Sequence, residues 1–332
     1  MRKNILLIAV LCALLLLSAC GAKPATEAAV TPEPAAEAAQ DPVVRIDLGG
    51  GTPSASGEGA RISGGVITIA SGGEYRVTGE CADGQIVIDT GDEPANVDLT
   101  LDGVSLSNAS GPALWVKQAK NVHLILAPGT QNLLCSGTEA DLAAFDGTQS
   151  GAAILAEDDL TIEGEGELEI RGYINNGVTC KDDLKIKSGS LRVLAAGNGL
   201  RGSESVEIKG GELSVIAGND GIKSSSAAKE GKGYITISGG TVAVEAQGDG
   251  IAAETVLTIS GGTVMVEAQG DGEGQSSKAL KAKTGLEISD GMLTLAAVED
   301  AISCDADIVI SGGMQRINTS GDGIQAGERV KQ

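Results

Sequence analysis

Asparagine and aspartate residues precede a glycine-containing turn at regular intervals in the second half of the sequence. We call this the corner position, and its spacing is 22, 22, 29, 22, 29 and 22 residues. If the repeats stack about 4.8 Å apart, neighbouring carboxylates repel by roughly 1 kcal/mol in water and more at a protein surface. Calcium would offset this repulsion, because it is coordinated by carboxylate, amide and carbonyl oxygens. The predicted corner residues are Asn176, Asn198, Asp220, Asp249, Asp271, Asp300 and Asp322.

We therefore predict a calcium site along this edge, with side-chain ligands from Asn198, Asn219, Asp220, Asp249, Asp271, Asp300 and Asp322. A simpler explanation stays open, because Asp and Asn also form good turns with glycine by accepting hydrogen bonds from nearby backbone amides. A second acidic group could bind another cation or could be a solvated strand entry. It comprises Glu157, Asp158, Asp159, Asp182 and Asp183, with Glu204 and Asp305 nearby.

Basic residues occupy one equivalent position shortly after the corner, at Arg201, Lys223 and Lys281. Calcium beside guanidinium and ammonium donors would suit an acidic polysaccharide, since each uronate carboxylate can contact both. The alternative is that these bases form exposed ion pairs with neighbouring aspartates, worth less than about 1 kcal/mol each. If the protein were a calcium-dependent lyase, Lys223 or Lys281 would be the base that removes the proton beside a uronate carboxylate.

Aromatic residues are few, which makes an extended platform for stacking sugars hard to build. Trp115 lies in an alternating strand and is interpreted as a packing residue. Tyr234 begins a strand beside the insertion that follows Lys223, and is the better aromatic candidate for a sugar contact. The predicted carbohydrate-binding residues are Arg201, Lys223, Lys281 and Tyr234.

Short strands with alternating apolar residues must hold these positions in place. The stretch 234–246 reads strand, glycine turn, strand, and 257–268 repeats it. A unit of about 22 residues without helical periodicity predicts one rung of a parallel β-helix, with apolar side chains stacked inside. The predicted fold is an all-β, right-handed parallel β-helix. Glycine pairs such as Gly239-Gly240 and Gly261-Gly262 mark the turns.

The N-terminus has the features of a bacterial lipoprotein signal. Basic residues precede an apolar stretch, and Leu17-Ser18-Ala19-Cys20-Gly21 resembles a lipobox. We predict a signal peptide at 1–19, a lipid on Cys20, a disordered Ala/Pro/Glu linker and entry segment at 20–59, and the β-helix at 60–332. The protein is then anchored by lipid on the extracellular face of the bacterial cell membrane. Because the sequence stops a few residues into a repeat, we expect a fragment or a frayed last rung.

The charge balance argues against nucleic acid as a partner, because 45 acidic residues face 24 basic ones. Cysteine spacing does not predict a disulfide scaffold. Cys180 and Cys304 occupy the same small inward position of distant repeats, whereas pairing of Cys81 with Cys135 stays undecided.

From about Gly73 onward the sequence resembles a family of secreted clostridial carbohydrate-binding β-helix proteins that are related in shape to polysaccharide lyases. The resemblance implies a cell-surface setting, bound calcium, and binding of cellulose or pectin-like acidic polymers. It rests on residues 83–88, 101–106, 111–117, 127–130, 176–184 and 219–224.

Together these observations predict a lipid-anchored surface protein that binds a plant or microbial polysaccharide, with calcium at the corner positions. One alternative is a calcium-dependent polysaccharide lyase on the same scaffold. The other is a structural or adhesive surface protein without a sugar ligand.

Overall fold

The computed structural model describes residues 43–148, 150–270 and 274–332. Within these ranges nearly all regular structure is β-strand, arranged in two sheets. The all-β class that the alternating pattern predicts is therefore correct. The N-terminal signal and the proposed lipid site at Cys20 lie outside the described residues.

The first sheet, which we call the short sheet, contains 12 strands in the described part of the chain. Most of its strands have three to five residues, and from β4 onward they pair in parallel with the equivalent strand of the next repeat. Its strands are β3 (Ala60–Ser63), β4 (Val66–Ile69), β6 (Gln85–Asp89), β8 (Leu114–Gln118), β11 (Ala152–Ala156), β14 (Asn176–Cys180), β17 (Leu200–Gly202), β20 (Ile222–Ser224), β23 (Ile251–Ala253), β25 (Leu280–Ala282), β27 (Ile302–Cys304) and β30 (Ile324–Ala326).

The second sheet, which we call the long sheet, contains 19 strands over the same described ranges. They are β1 (Val43–Asp47), β2 (Ser54–Ala55), β5 (Gly73–Cys81), β7 (Asn96–Asn108), β9 (Asn121–Leu126), β10 (Gln131–Ser136), β12 (Leu160–Gly164), β13 (Glu167–Gly172), β15 (Asp183–Ile186), β16 (Ser190–Ala195), β18 (Ser205–Ile208), β19 (Glu212–Ala217), β21 (Tyr234–Ile237), β22 (Thr241–Ala246), β24 (Val256–Ala268), β26 (Gly285–Ala297), β28 (Ile308–Ile310), β29 (Met314–Thr319) and β31 (Val330–Lys331).

Two short helices complete the described structure, a 3-10 turn at Gly49–Gly51 and the α-helix α1 at Glu139–Ala144. A capping box starts α1, because the backbone N–H of Thr138 donates to Asp141 Oδ2 over 2.8 Å.

The predicted fold, a right-handed parallel β-helix with about 22 residues per rung, is corrected by these pairings. Ile67 pairs with Ile86, Ile86 with Leu114, and Leu114 with Ile154, so the repeat there is 19, 28 and 40 residues long. The pairs β1–β2 and β3–β4 are antiparallel. We therefore describe the fold as two sheets of 19 and 12 strands and not as an open, uniform solenoid. The error arose because the regular spacing of the second half was extended to a first half that lacks it.

The interior is filled by the apolar residues that alternate along each strand. Ile235 and Ile237 of β21 are fully buried, as are Leu257 and Ile259, with which they pair in β24. Each such side chain contributes about 1.5–3 kcal/mol when it leaves water. Stacking of like residues between repeats therefore stabilises strands that are too short to be stable alone.

The predicted glycine turn at Gly239-Gly240 separates β21 from β22, whereas the pair Gly261-Gly262 lies within β24 at a register shift. The second glycine of each pair has a positive φ, which is 84° at Gly240 and 89° at Gly262. A Cβ atom at Gly240 would lie 2.6 Å from the carbonyl oxygen of Gly211 in the preceding repeat. Both the backbone conformation and the close approach of the next layer therefore require glycine.

The four described cysteines, Cys81, Cys135, Cys180 and Cys304, are buried and free. Cys180 pairs in register with Gly202, and Cys304 with Ala282, which confirms that both occupy a small inward position. Burial raises the pKa of Cys180 to about 12, so its thiol is unreactive at neutral pH.

Candidate functional site

A line of side chains crosses the outer face of the short sheet perpendicular to its strands, and we call it the outer row. Strand pairing places the predicted bases Arg201 and Lys223 opposite each other, and Lys281 follows two strands later beyond Ala252. Register extends the row in both directions beyond these bases. It runs through Val87, Trp115, Leu155, Thr179, Arg201, Lys223, Ala252, Lys281, Ser303 and Gln325.

The corner positions lie along one edge of the short sheet, beside the outer row. The backbone N–H of the residue after each corner donates to the carbonyl of the corner residue in the next repeat. For example, Gly221 donates to Asp249 over 2.9 Å, and Gly250 donates to Lys278 over 2.8 Å. These hydrogen bonds establish the corner residues as Asn176, Asn198, Asp220, Asp249, Lys278, Asp300 and Asp322.

Lys278 therefore occupies the corner position that was predicted for Asp271. The sequence Gln-Gly-Asp-Gly occurs at both 247–250 and 269–272, but Ile251 follows the first copy and Glu273 follows the second. Only an apolar residue can point inward at that place, and Leu280 supplies it two residues after Lys278. This apolar requirement is the signal that would have placed the insertion correctly. Asp271 itself lies outside the described residues.

Side-chain oxygens at the corners accept hydrogen bonds from the backbone of the next corner. Such a ladder is the arrangement expected if these residues stabilise turns, because each side chain accepts a backbone N–H of the neighbouring corner. The acceptor distances are 2.8 Å for Asn176 Oδ1 from Asn198 N–H, 3.2 Å for Asn198 Oδ1 from Asp220 N–H, 2.9 Å for Asp220 Oδ1 from Asp249 N–H, 3.0 Å for Asp249 Oδ1 from Lys278 N–H, and 3.0 Å for Asp300 Oδ1 from Asp322 N–H.

The second oxygen of three corner carboxylates contacts a lysine ammonium. Lys223 Nζ lies 2.6 Å from Asp220 Oδ2, and Lys281 Nζ lies 2.8 Å from Asp249 Oδ2. The third pair joins Lys278 Nζ to Asp300 Oδ2 over 3.2 Å. Asp220 and Asp249 are only 5% and 4% exposed, so these are buried carboxylates neutralised by partly exposed lysines. Neither Lys223 nor Lys281 offers the unpaired amine that a lyase base needs.

The corner residues fit calcium poorly in this arrangement, because their oxygens already accept N–H groups and lysine ammonium groups. Asn219 is also engaged, since its Oδ1 accepts a hydrogen bond from Gln275 Nε2. Within the described part of the chain, no three His, Cys, Asp or Glu side chains are placed to share a metal ion. Calcium binding remains a prediction.

Tyr234 lies away from the other predicted sugar contacts. It begins β21 of the long sheet, where it pairs with Ser205, and its hydroxyl donates to Glu207 Oε1 over 3.1 Å. Burial raises the pKa of the Tyr234 hydroxyl. The structure therefore brings Arg201, Lys223 and Lys281 together on one face and leaves Tyr234 on another sheet.

Arg201 is the one of these three bases that lacks a carboxylate partner among the described residues. Its Nη2 and Nε atoms lie 3.3 Å and 3.4 Å from Ser225 Oγ, which are long hydrogen bonds to a neutral group. Ser225 begins the insertion that follows β20, so this loop borders the outer row beside the guanidinium. Arg201 is partly exposed and can still donate to a ligand carboxylate.

The second predicted acidic group is partly neutralised by lysines of the same insertion. Lys232 Nζ lies 3.0 Å from Asp183 Oδ1 and 2.9 Å from Glu204 Oε2, and Lys229 also pairs with Glu204. The hydrogen bond to Glu204, together with the contact to Asp183, raises the pKa of Lys232. Asp182 forms no such ion pair with another described residue, and its pKa is raised first by burial and then by repulsion from Glu204.

Replacing Lys232 with methionine is expected to lower the free energy of unfolding by about 2 kcal/mol at neutral pH. Hydrogen bonds from Lys229 and then Lys232 lower the pKa of Glu204. Burial alone would raise the pKa of Asp183, but its hydrogen bonds to Ser205 and Lys232 outweigh burial and lower it. The stability from these pairs is therefore complete above about pH 5, where both carboxyls are ionised even in the unfolded chain, and disappears as the pH falls through the lowered values.

Urea unfolding at neutral pH and at about pH 3 measures this linkage. The gap between the wild type and Lys232→Met should shrink in acid, whereas Lys120→Met, at an exposed lysine, should leave stability unchanged at both values. A gap of constant size would mean that Lys232 stabilises by packing and not by charge.

A cleft with a volume of about 550 Å³ opens at the first half of the outer row. Trp115 and Leu155 line it, together with the polar side chains of Asp83, Gln85 and Asn108. Trp115 was predicted to be a packing residue. Its position on the outer row could not be foreseen, because the repeats on either side of β8 are 28 and 40 residues long.

The chain is similar in sequence to a described protein family and in structure to a solved protein. A family model described as "Carbohydrate-binding domain-containing protein" matches residues 63–323. A relative with the same description, from Acetivibrio thermocellus, is 36% identical over 141 residues, which cover 42% of this chain and 48% of the relative. The alignment thus spans about half the length of that relative.

A solved structure, described as the polysaccharide lyase-like protein from C. thermocellum in a gadolinium derivative, is also similar. It has a TM-score of 0.58 and 26% identity, and the match covers 86% of this chain and 98% of that chain. Among the residues that the structure describes, no helix has the length and hydrophobicity needed to cross a membrane.

Proposed function

This chain belongs to the family of carbohydrate-binding domain-containing proteins, and we propose that it binds an acidic polysaccharide along the outer row of the short sheet. The observation that supports this proposal is the line of Arg201, Lys223 and Lys281 on one face, with Arg201 free of any carboxylate partner among the described residues. A protein with a large excess of acidic residues otherwise repels polyanions, so the place where one can bind is around Arg201, where the lysines of the row neutralise Asp220 and Asp249 and the guanidinium has no carboxylate partner among the described residues.

The spacing of the row suits a linear polymer. Neighbouring strands lie about 4.8 Å apart, which is close to the advance of a pyranose chain per sugar unit. A polysaccharide lying across the strands can therefore present successive units to successive side chains of the row. Arg201 is suited to a uronate carboxylate, because its planar guanidinium can donate two parallel hydrogen bonds.

Binding of the purified protein to soluble polygalacturonate tests this function, with neutral cellulose oligosaccharides as the comparison. We expect isothermal titration calorimetry to show binding of the acidic polymer, and added salt to weaken it because ion pairs are screened. Parallel titrations with calcium and with a chelator test the predicted metal. Failure to bind any uronate polymer at low salt would contradict the proposal.

The ultraviolet absorbance of unsaturated uronate, followed in the same mixtures, tests the lyase alternative. Anchoring through a lipid on Cys20 and a position on the outside of the cell remain predictions of the N-terminal sequence.

A further inference from the structure

The cleft beside Trp115 continues the outer row towards the N-terminal end of the described chain. From Trp115 the row passes through Leu155 and Thr179 before it reaches Arg201. These three strand steps span about 14 Å at a spacing of about 4.8 Å. A ligand that extends along the row from Arg201 therefore reaches this cleft about three sugar units away.

The cleft is open because the side chains at the edge of the short sheet are different there. In the later repeats the corner positions hold Asn, Asp or Lys side chains. In each earlier repeat, the equivalent residue lies two positions before the apolar residue that points inward from the short-sheet strand. These equivalent residues are small or lack a polar side chain. They are Gly65, Gly84, Pro112 and Ala152.

The lining of the cleft has an apolar wall and a polar rim. Trp115 is partly exposed and lies between Val87 and Leu155, which are its strand partners. Its Nε1 atom is buried and has no hydrogen-bond partner among the described residues, so the ring position is not determined by a hydrogen bond of its own. An indole face beside aliphatic side chains is a surface on which the C–H face of a pyranose ring can stack.

Two side chains on the polar rim retain capacity to accept hydrogen bonds. Asp83 Oδ1 accepts the N–H of Ala109 over 3.1 Å, and Gln85 Nε2 donates to the carbonyl oxygen of Pro112 over 2.9 Å. Within the described ranges, Asp83 Oδ2 and Gln85 Oε1 accept no hydrogen bond. Sugar hydroxyl groups can donate to both of them, as in binding sites that combine an apolar wall with a few polar groups.

The charge of Asp83 distinguishes this cleft from the region around Arg201. An exposed carboxylate repels a uronate, whereas it accepts hydrogen bonds from a neutral sugar. We propose that the Trp115 cleft is a subsite for an uncharged sugar unit, so that the ligand is a polysaccharide carrying neutral and acidic units about three positions apart. This inference rests on the proposed function and specifies its substrate class.

Trp115 is the only tryptophan in the sequence, so its intrinsic fluorescence reports this cleft alone. The probes are a hexasaccharide of alternating glucuronate and N-acetylglucosamine and a hexasaccharide of galacturonate. Because the Arg201 region and the Trp115 cleft are an odd number of sugar units apart, an alternating oligosaccharide can place glucuronate at Arg201 and N-acetylglucosamine in the cleft. We expect the alternating probe to bind about 10-fold more tightly and to shift the emission of Trp115, and the galacturonate probe to bind without that shift.

Two variants test the chemistry of the cleft independently. Asp83→Asn keeps the oxygen that accepts the Ala109 N–H but removes the charge, and should allow the galacturonate probe to bind more tightly and shift the emission. Trp115→Ala should weaken the alternating probe about 10-fold. If this variant does not fold, Gln85→Ala at the rim should still weaken the alternating probe and spare the galacturonate probe.

Calorimetry distinguishes failure of the neutral subsite from failure of acidic polysaccharide binding. If both probes bind and neither shifts the emission, or both bind and shift equally, the neutral subsite is refuted while acidic polysaccharide binding stands. If neither probe binds in calorimetry and polygalacturonate also fails, the proposed function is wrong, and the subsite is wrong with it.

Discussion

Replacing Arg201 with alanine is expected to weaken binding of an acidic oligosaccharide about 10- to 100-fold. A hydrogen bond between charged groups contributes about 1.5–3 kcal/mol, and this guanidinium has no carboxylate partner among the described residues. Stability should change little, because Arg201 is partly exposed and its side-chain hydrogen bonds to other described residues are the two long ones to Ser225. Calorimetry with the polymer that the wild-type protein binds measures the loss.

Arg316→Ala is the matched control for this experiment. Arg316 is an exposed arginine on β29 of the long sheet, where it pairs in register with Thr294 and forms no ion pair with another described residue. It carries the same charge and lies on a different face, so its removal should leave the dissociation constant within about twofold. Equal losses in the two variants would mean that the protein attracts the polymer by overall charge and not at the outer row.

Replacing Asp249 with alanine is expected to lower the free energy of unfolding by about 3 kcal/mol. Its carboxylate is buried and accepts hydrogen bonds from Lys278 N–H, from Ser276 Oγ over 2.6 Å and from Lys281 Nζ. Removing it leaves an ammonium and a backbone amide without their partner. Asp249→Asn keeps an acceptor for the amide, so it should be less destabilising.

Chemical denaturation is measured both in calcium and in a chelator, which distinguishes a hydrogen-bonding role of Asp249 from a role as a metal ligand. If Asp249 acts through the hydrogen bonds and the ion pair seen here, the loss is the same in both solutions. Glu267→Ala, at an exposed carboxylate on β24, should change nothing. A loss that appears only in calcium would identify Asp249 as a metal ligand and restore the calcium prediction for the corner positions.

At the site, the positions of the insertions could not be predicted correctly from the sequence. The outer row of Arg201, Lys223 and Lys281 was predicted from spacing and is found in one register. Asp271 was assigned to a corner that Lys278 occupies, because Gln-Gly-Asp-Gly at 269–272 duplicates a true corner. Turn motifs identify residue types that can form a corner, but burial of the following apolar residue decides which copy does so.

The irregular first half was beyond prediction for a related reason. Repeats of 28 and 40 residues hide the equivalence of Val87, Trp115 and Leu155. No constant spacing links Trp115 to Arg201, so the sequence did not show that this tryptophan lies on the same outer face as Arg201. The same irregularity made the predicted uniform right-handed β-helix wrong as a description of this molecule.

The sequence alone determined the strands, their inward and outward faces, and the glycine turns, since these depend on alternation and on backbone conformations set within a few residues. The tertiary structure decided which charges remain available to a ligand. Asp220 accepts the N–H of Asp249 from the next repeat and pairs with Lys223 of its own, and Asp249 pairs with Lys281 of the next repeat, whereas Arg201 has no carboxylate partner among the described residues. The contacts that cross repeats depend on loop lengths and on neighbours 29 to 32 residues away, and local patterns carry no information about those contacts.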